Sequence, residues 1–271
     1  MIDKIKKSMI DKIKKNFFII LGVILIVIAL GVGGFIYKDV YVENQKRNED
    51  AQILESYGIN DVNKKDKPNI KKDVKSKNGL ERSETAVKDD DKPSLTRTLT
   101  MKYKSKKPIA YLIVGDNLIR EPVGFESYKG EFLWRGLDGK PKRDGSVFMS
   151  LANKGFDDNV ITLFGHYVDI KTMFSPLVDN THDKYNRATL IVNDKARHYE
   201  LIRSGVINEK KLNSVDYTSI EGVKDIVEFN MTDSFDKKVD INDTDRFMIL
   251  TTCYTYDGSN RKVCVYREIV E

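Results

Sequence analysis

The sequence predicts a mostly β domain, a closed or nearly closed barrel, set behind an apolar anchor. Three observations carry that prediction. From Lys107 onward, short apolar runs alternate with turn signals at close spacing. A single segment of helical period interrupts them, just before the penultimate run. Near the start, "FFIILGVILIVIALGVGGFIY", Phe17 to Tyr37, holds no charged residue at all.

The first element is that apolar run. At about 1.5 Å per residue it makes roughly 32 Å of helix, enough to cross a bilayer core. A soluble helix is rarely apolar on every face for so long. The run exceeds the ~7–15 residues of a signal-peptide core, and no A-x-A-like cleavage site follows it. It therefore reads as an uncleaved single-pass transmembrane anchor. Before it, "MIDKIKKSMIDKIKKN" is one octad written twice, differing at Ser8 and Asn16. Its lysines place residues 1–16 in the cytoplasm and everything after Tyr37 outside. The doubling could also reflect two alternative starts, Met1 and Met9.

Residues 38 to about 57 can continue as helix beyond the membrane. The chain then turns to mixed charge, as in "NKKDKPNIKKDVKSKNGLERSETAVKDDDKPS", with almost no aromatic or branched apolar side chains. Such composition buries too little surface to offset chain entropy. The span 38–104 thus reads as an extracellular helix and flexible charged stalk, and 105–271 as the folded domain.

Within that domain "IAYLIVGDNLIREPVGF" gives two strands broken by Gly115-Asp116-Asn117. "GSVFMS" and "NVITLFGHYV" follow as strand candidates, and "ATLIVND" and "RHYELIRSGVI" flank a turn at Asn193-Asp194. Ile220, Val223, Ile226 and Val227 repeat at helical spacing. The chain ends on two strands, "RFMILTTC" and "RKVCVYREIV", with Asp257-Gly258 at the turn between them.

That last hairpin holds both cysteines of the chain, Cys253 and Cys264. Thiolate is a strong nucleophile, and it needs a base or a nearby cation. A hairpin sets the end of one strand beside the start of the next, so Cys253 and Arg261 should be neighbours at one rim. A guanidinium there can stabilise a thiolate or an oxyanion. Of the three histidines, His182 lies in a polar loop and His198 in a strand of mixed polarity. His166 follows a glycine at the end of an apolar strand, where scaffolds present side chains to substrates. Cys264 alternates with Val263 and Val265 and reads as a small apolar core residue. A Cys253–Cys264 disulfide is conceivable outside the cell, but it would block the nucleophile. The net charge of +5 fits a lysine-rich solvated surface, with no nucleic-acid partner expected. The histidines and cysteines lack metal-ligand spacing, so no cofactor is expected.

"LTTC", Leu250 to Cys253, resembles the sortase signature L-x-T-C, which an arginine follows at the start of the next strand. "FGHYVDIKTMFSPL" resembles the sortase segment of Gly-His followed by Met-Phe and Leu. "IAYLIVGDNLIREPVGF" is similar to the opening strands of sortases, with Pro122-Val123 at their end. "FLWRGLDGKPKRDGSVFMS" and a long helical insert from about Val215 to Phe235 resemble class B members. Two departures stand out. Tyr167-Val168 replaces the usual Asn-Met after Gly-His, and Tyr111-Leu112-Ile113 replaces a tryptophan-bearing strand.

The resemblance spans about residues 105–271 and implies a closed eight-stranded barrel with peripheral helices. It implies Cys253 as nucleophile, His166 as general acid/base, Arg261 as oxyanion and substrate holder, and Leu250, Thr251 and Thr252 as substrate-binding positions. It implies a cysteine transpeptidase of the thiol-protease class at the surface of a Gram-positive cell. Its partners would be secreted proteins with a sorting motif of N/S-P-x-T-x or L-P-x-T-x type, a cell-wall precursor or peptidoglycan amine, and the membrane. A papain-like hydrolase would place Cys before His, and here His166 comes first. Two alternatives stay open: a pilin-polymerising sortase and a non-catalytic wall-binding module on the same barrel.

Overall fold

The structure is a computed structural model and describes residues 2–57, 93–104, 110–167, 172–179, 181–254 and 258–270. The chain divides into two compact units, Met1–Ile53 and Leu54–Glu271.

The first unit is helical throughout its described residues, within α1 (Ile2–Ser56). Large apolar side chains from Leu21 to Val32 are exposed along it. Among the described residues no helix is long and apolar enough to cross a membrane. Within the expected anchor, 17–37, the side chains of residues 18–20 and 35–36 lie outside the description.

In the second unit, most of the expected stalk, 58–92, lies outside the described residues. Its far end departs from expectation, because α2 (Leu95–Tyr103) is an ordered helix. Ser94 caps it by accepting from the Arg97 N–H at 3.2 Å, and the i, i+4 pair Leu95 and Leu99 is buried. The Leu95 N–H also donates to the Asp194 carboxylate. A short apolar stripe with a cap suffices here, though the surrounding composition is that of a linker.

The barrel comprises β1 (Ala110–Val114), β2 (Ile119–Phe125), β3 (Val147–Met149), β4 (Val160–Phe164), β5 (Arg187–Val192), β6 (Lys195–Asn208), β7 (Thr232–Asp236), β8 (Phe247–Cys253) and β9 (Asn260–Glu268). Strand order is β5-β1-β2-β3-β4-β8-β9-β6, and β5 pairs with β6 to close the ring at eight strands. β7 adds to the outside edge of β6. The β2–β3 and β4–β8 pairings are parallel and the others antiparallel. The short helices α3 (Ser175–Asp179), α4 (Glu209–Leu212) and α5 (Ile220–Glu228) lie between strands. The helix expected over Val215–Phe235 is only α5. Ile220, Val223 and Ile226 bury its apolar face, and beyond Glu228 the sequence Thr232–Asp236 has no apolar stripe to continue it.

Two apolar clusters hold the domain. Leu112, Met149, Leu163, Leu190, Met248, Leu250, Cys264 and Tyr266 fill the interior. Ile249, Val263, Val265 and Phe247 pack outward against Val223 and Ile226 of α5. β8 and β9 are therefore covered on both faces, which explains their nearly unbroken apolar runs.

Candidate active site

Three neighbouring strands carry the site. β4 runs parallel to β8 with Phe164 opposite Thr251, and the Gly165 N–H donates to the Thr251 carbonyl at 3.3 Å. Beyond Phe164 the chain leaves β4, and His166, two residues on, lines the same cavity as Cys253. On the other side β9 runs antiparallel, with Cys253 opposite Arg261. The Arg261 Nη1 lies 2.7 Å from the Cys253 sulfur. The imidazole follows the end of β4, the thiol ends β8 and the guanidinium stands at the start of β9. All three residues line one cavity of about 420 Å³.

Local sequence makes this placement possible. Gly165 precedes the histidine because a Cβ there would meet the Phe174 ring at 2.8 Å. On β8 the side chains alternate. Ile249, Thr251 and Cys253 line the cavity, whereas Leu250 belongs to the barrel interior. Of the positions expected to bind substrate, Thr251 and Thr252 are at the cavity wall and Leu250 is not. The Thr251 and Thr252 hydroxyls are buried without a hydrogen-bond partner in the described structure. Such groups are costly to leave unpaired.

Two carboxylates complete the walls. Glu209, at the start of α4, accepts from the Arg261 Nη2 at 2.6 Å. One face of the guanidinium is thereby fixed while the other points to sulfur. Glu209 itself is held where it is, since its N–H donates to the Ser259 carbonyl at 2.9 Å. Glu126 is buried at the end of β2, and burial raises its carboxyl pKa above the ordinary value. Its Oε1 accepts from the Phe132 N–H at 3.3 Å, tying the β2–β3 connection to the strand. Around these groups the lining is mainly apolar, with Leu133, Phe148, Leu151, Phe164 and Leu212 among it.

The other candidates fall elsewhere. His182 stacks on Phe235 at 4.5 Å, and His198 hydrogen-bonds with Thr189 at 3.1 Å; neither lines the cavity. Cys253 and Cys264 are both free thiols. Cys264 pairs with Leu250 in the barrel interior, and burial pushes its thiol up to about 12. Asp257 and Val168 lie outside the described residues, while Gly258 adopts a φ of +70° at the final turn. Among the described residues no group of His, Cys, Asp and Glu could hold a metal ion. Sequence reasoning missed Glu209 and Glu126. Its one available signal was an acidic residue directly after Asn208, which caps α4 by accepting from the Lys210 N–H at 3.0 Å.

A thiol that meets a guanidinium and shares an apolar cleft with an imidazole is equipped for acyl transfer through a thioester. No family model matches the sequence, and neither does any curated protein. Solved structures do match. Clostridium perfringens sortase B superposes with a TM-score of 0.56 at 24% identity, over 64% of this chain and 99% of that one. Staphylococcus aureus sortase B in a substrate complex gives 0.54 at 19%, over 65% and 84%. A sortase B complexed with triglycine gives 0.54 at 19%, over 65% and 85%. The chain therefore has the sortase fold, in its class B-like form.

Proposed function

We propose that this protein is a membrane-anchored sortase, a cysteine transpeptidase that cleaves a sorting motif and joins the new carboxyl group to a cell-wall amine. One observation carries the reading: Cys253, with the Arg261 guanidinium on its sulfur, shares one cavity with His166, on a barrel of the sortase kind. In the first half-reaction the sulfur, as thiolate, attacks the carbonyl carbon of the motif threonine. Arg261 would stabilise the oxyanion. The C–N bond breaks as His166 gives its proton to the leaving amine, and a thioester remains. An incoming amine then attacks the thioester and loses its proton to His166. The C–S bond breaks and the enzyme is restored.

The sorting motif would be of N/S-P-x-T-x or L-P-x-T-x type. That sortase B forms complexes with a substrate and with triglycine supports a sorting-motif donor and an amine acceptor as partners. The uncharged run 17–37, with lysines before it, supports a plasma-membrane anchor and an extracellular catalytic domain. Aliphatic side chains left exposed from Leu21 to Val32 favour a lipid neighbour over water.

The test is cleavage of N-P-x-T-x and L-P-x-T-x peptides by the full chain in detergent, with and without an oligoglycine acceptor. Cleavage should depend on Cys253 and yield an amide product when acceptor is present. Turnover that survives Cys253→Ala would refute the assignment.

A further inference from the structure

The β2–β3 connection, residues 126–146, reaches across the cavity to His166. The His166 Nε2 lies 2.7 Å from the Leu133 carbonyl oxygen. The next residue, Trp134, packs its ring on the imidazole, with centroids 5.2 Å apart and planes 39° from parallel. Trp134 is 65% exposed, so the domain core does not need it. A bulky aromatic lying on an imidazole in solvent asks for a reason beyond burial.

The backbone that presents these two groups is tightly fixed. The Phe132 carbonyl accepts from the Ser146 N–H at 3.0 Å and the Trp134 carbonyl from the Lys142 N–H at 3.0 Å. Glu126 holds the Phe132 N–H, and Phe132 is buried beside Phe148. Gly145, at a φ of +62°, passes so close that a Cβ would lie 2.6 Å from the Leu133 oxygen. These contacts set the position of the oxygen that meets the imidazole.

A carbonyl oxygen can only accept a hydrogen bond. The Nε2 contact exists only if Nε2 carries a proton, in the neutral ring and in the imidazolium alike. Only Nδ1 is then free to give and take a proton. We propose that the Leu133 carbonyl and Trp134 form a positioning clamp on His166 that makes Nδ1 the proton-exchanging atom of the reaction. Leu133 fixes the tautomer, and Trp134 fixes the tilt that keeps Nε2 against that carbonyl, so losing the Trp134 ring releases both. Both act through His166, so they are positioning residues. The proposal rests on the reading of His166 as the acid/base, yet its first test is independent of turnover.

That test is nitrogen-15 NMR of the full chain in detergent with labelled histidine, His166 being assigned by the loss of its signals in His166→Gln. The neutral His166 ring should show a protonated Nε2 and a bare Nδ1. In Trp134→Ala the two tautomers should mix, and kcat on the sorting peptide should fall about 10- to 100-fold with KM nearly unchanged. Trp134→Phe should keep the tautomer and most of kcat. A protonated Nδ1 in the wild type overturns the clamp, as does an unchanged kcat in Trp134→Ala. A rise in KM alone would overturn it too, by making Trp134 a substrate contact instead. A wild-type chain with the expected tautomer but no turnover sinks the transpeptidase reading and leaves the clamp standing.

Discussion

The two cysteines lie on one hairpin, yet the structure gives them opposite characters. Cys253 ends β8 at the cavity rim, half-buried, with the Arg261 guanidinium 2.7 Å from its sulfur. Cys264 sits in β9 opposite Leu250, fully buried in the barrel interior, its thiol pushed up to about 12. What separates them is which face of the pleat each occupies. The face of β8 and β9 that carries Cys253 and Arg261 emerges at the rim, while the other face fills the core. A thiol becomes a candidate nucleophile by its place on the sheet.

The sharpest way to break this contrast is to exchange the roles by mutation. Cys253→Ala should lower cleavage of a sorting-motif peptide by roughly four orders of magnitude or more. Cys264→Ala should leave kcat/KM within about threefold, since no bond to substrate is lost. Next in size is the guanidinium. Arg261→Lys keeps a charge but cannot meet sulfur and Glu209 at once, so kcat should fall about 100-fold. Glu209→Gln keeps the shape and removes the ion pair. Looser placement of Arg261 should lower kcat about 10-fold, and combining it with Arg261→Lys should give less than the product of the single losses. Steady-state kinetics of the four variants and the double variant checks each expectation.

The same contrast shows what the sequence made legible. The turns at Gly115-Asp116-Asn117 and Asn193-Asp194 were readable because Gly115, Asn117, Asn193 and Asp194 all adopt positive φ. The Cys253–Arg261 pairing was readable because a hairpin makes contacts local. The sharing of one cavity by His166 and Cys253 depends on a parallel pairing of β4 with β8 between distant segments, and only the resemblance to sortases suggested it. Leu250 was placed with its motif neighbours at the substrate, but alternation along a strand cannot turn every motif residue to one face. Glu209 sits on a helix too short to show a period, and Trp134 lies in an irregular connection. Nothing local marks either as close to the site. α2 hid in linker-like composition, since Leu95 and Leu99 find their partners only in the fold.

The smallest effect concerns the buried thiol and appears only in alkali. Burial raises the Cys264 pKa from 9.0 to about 12, so the folded chain keeps that proton after the unfolded chain has lost it. The unfolded state then binds fewer protons, and stability falls as pH rises through this window, by up to about 1.4 kcal/mol per pH unit. Tyr185, Tyr199 and Tyr266 are also raised by burial, from 10.0, and act in the same direction. Their contribution begins about one unit higher than that of the thiol. In Cys264→Ala the alkaline decline should therefore start near pH 10 instead of pH 9, read as the urea midpoint across that range. The variant should be less stable than the wild type at neutral pH, because it leaves a small cavity, and should lose part of that deficit by pH 10. An identical alkaline onset in the two proteins would mean that Cys264 titrates normally in the fold, and the division between rim and interior would fail at its inner member.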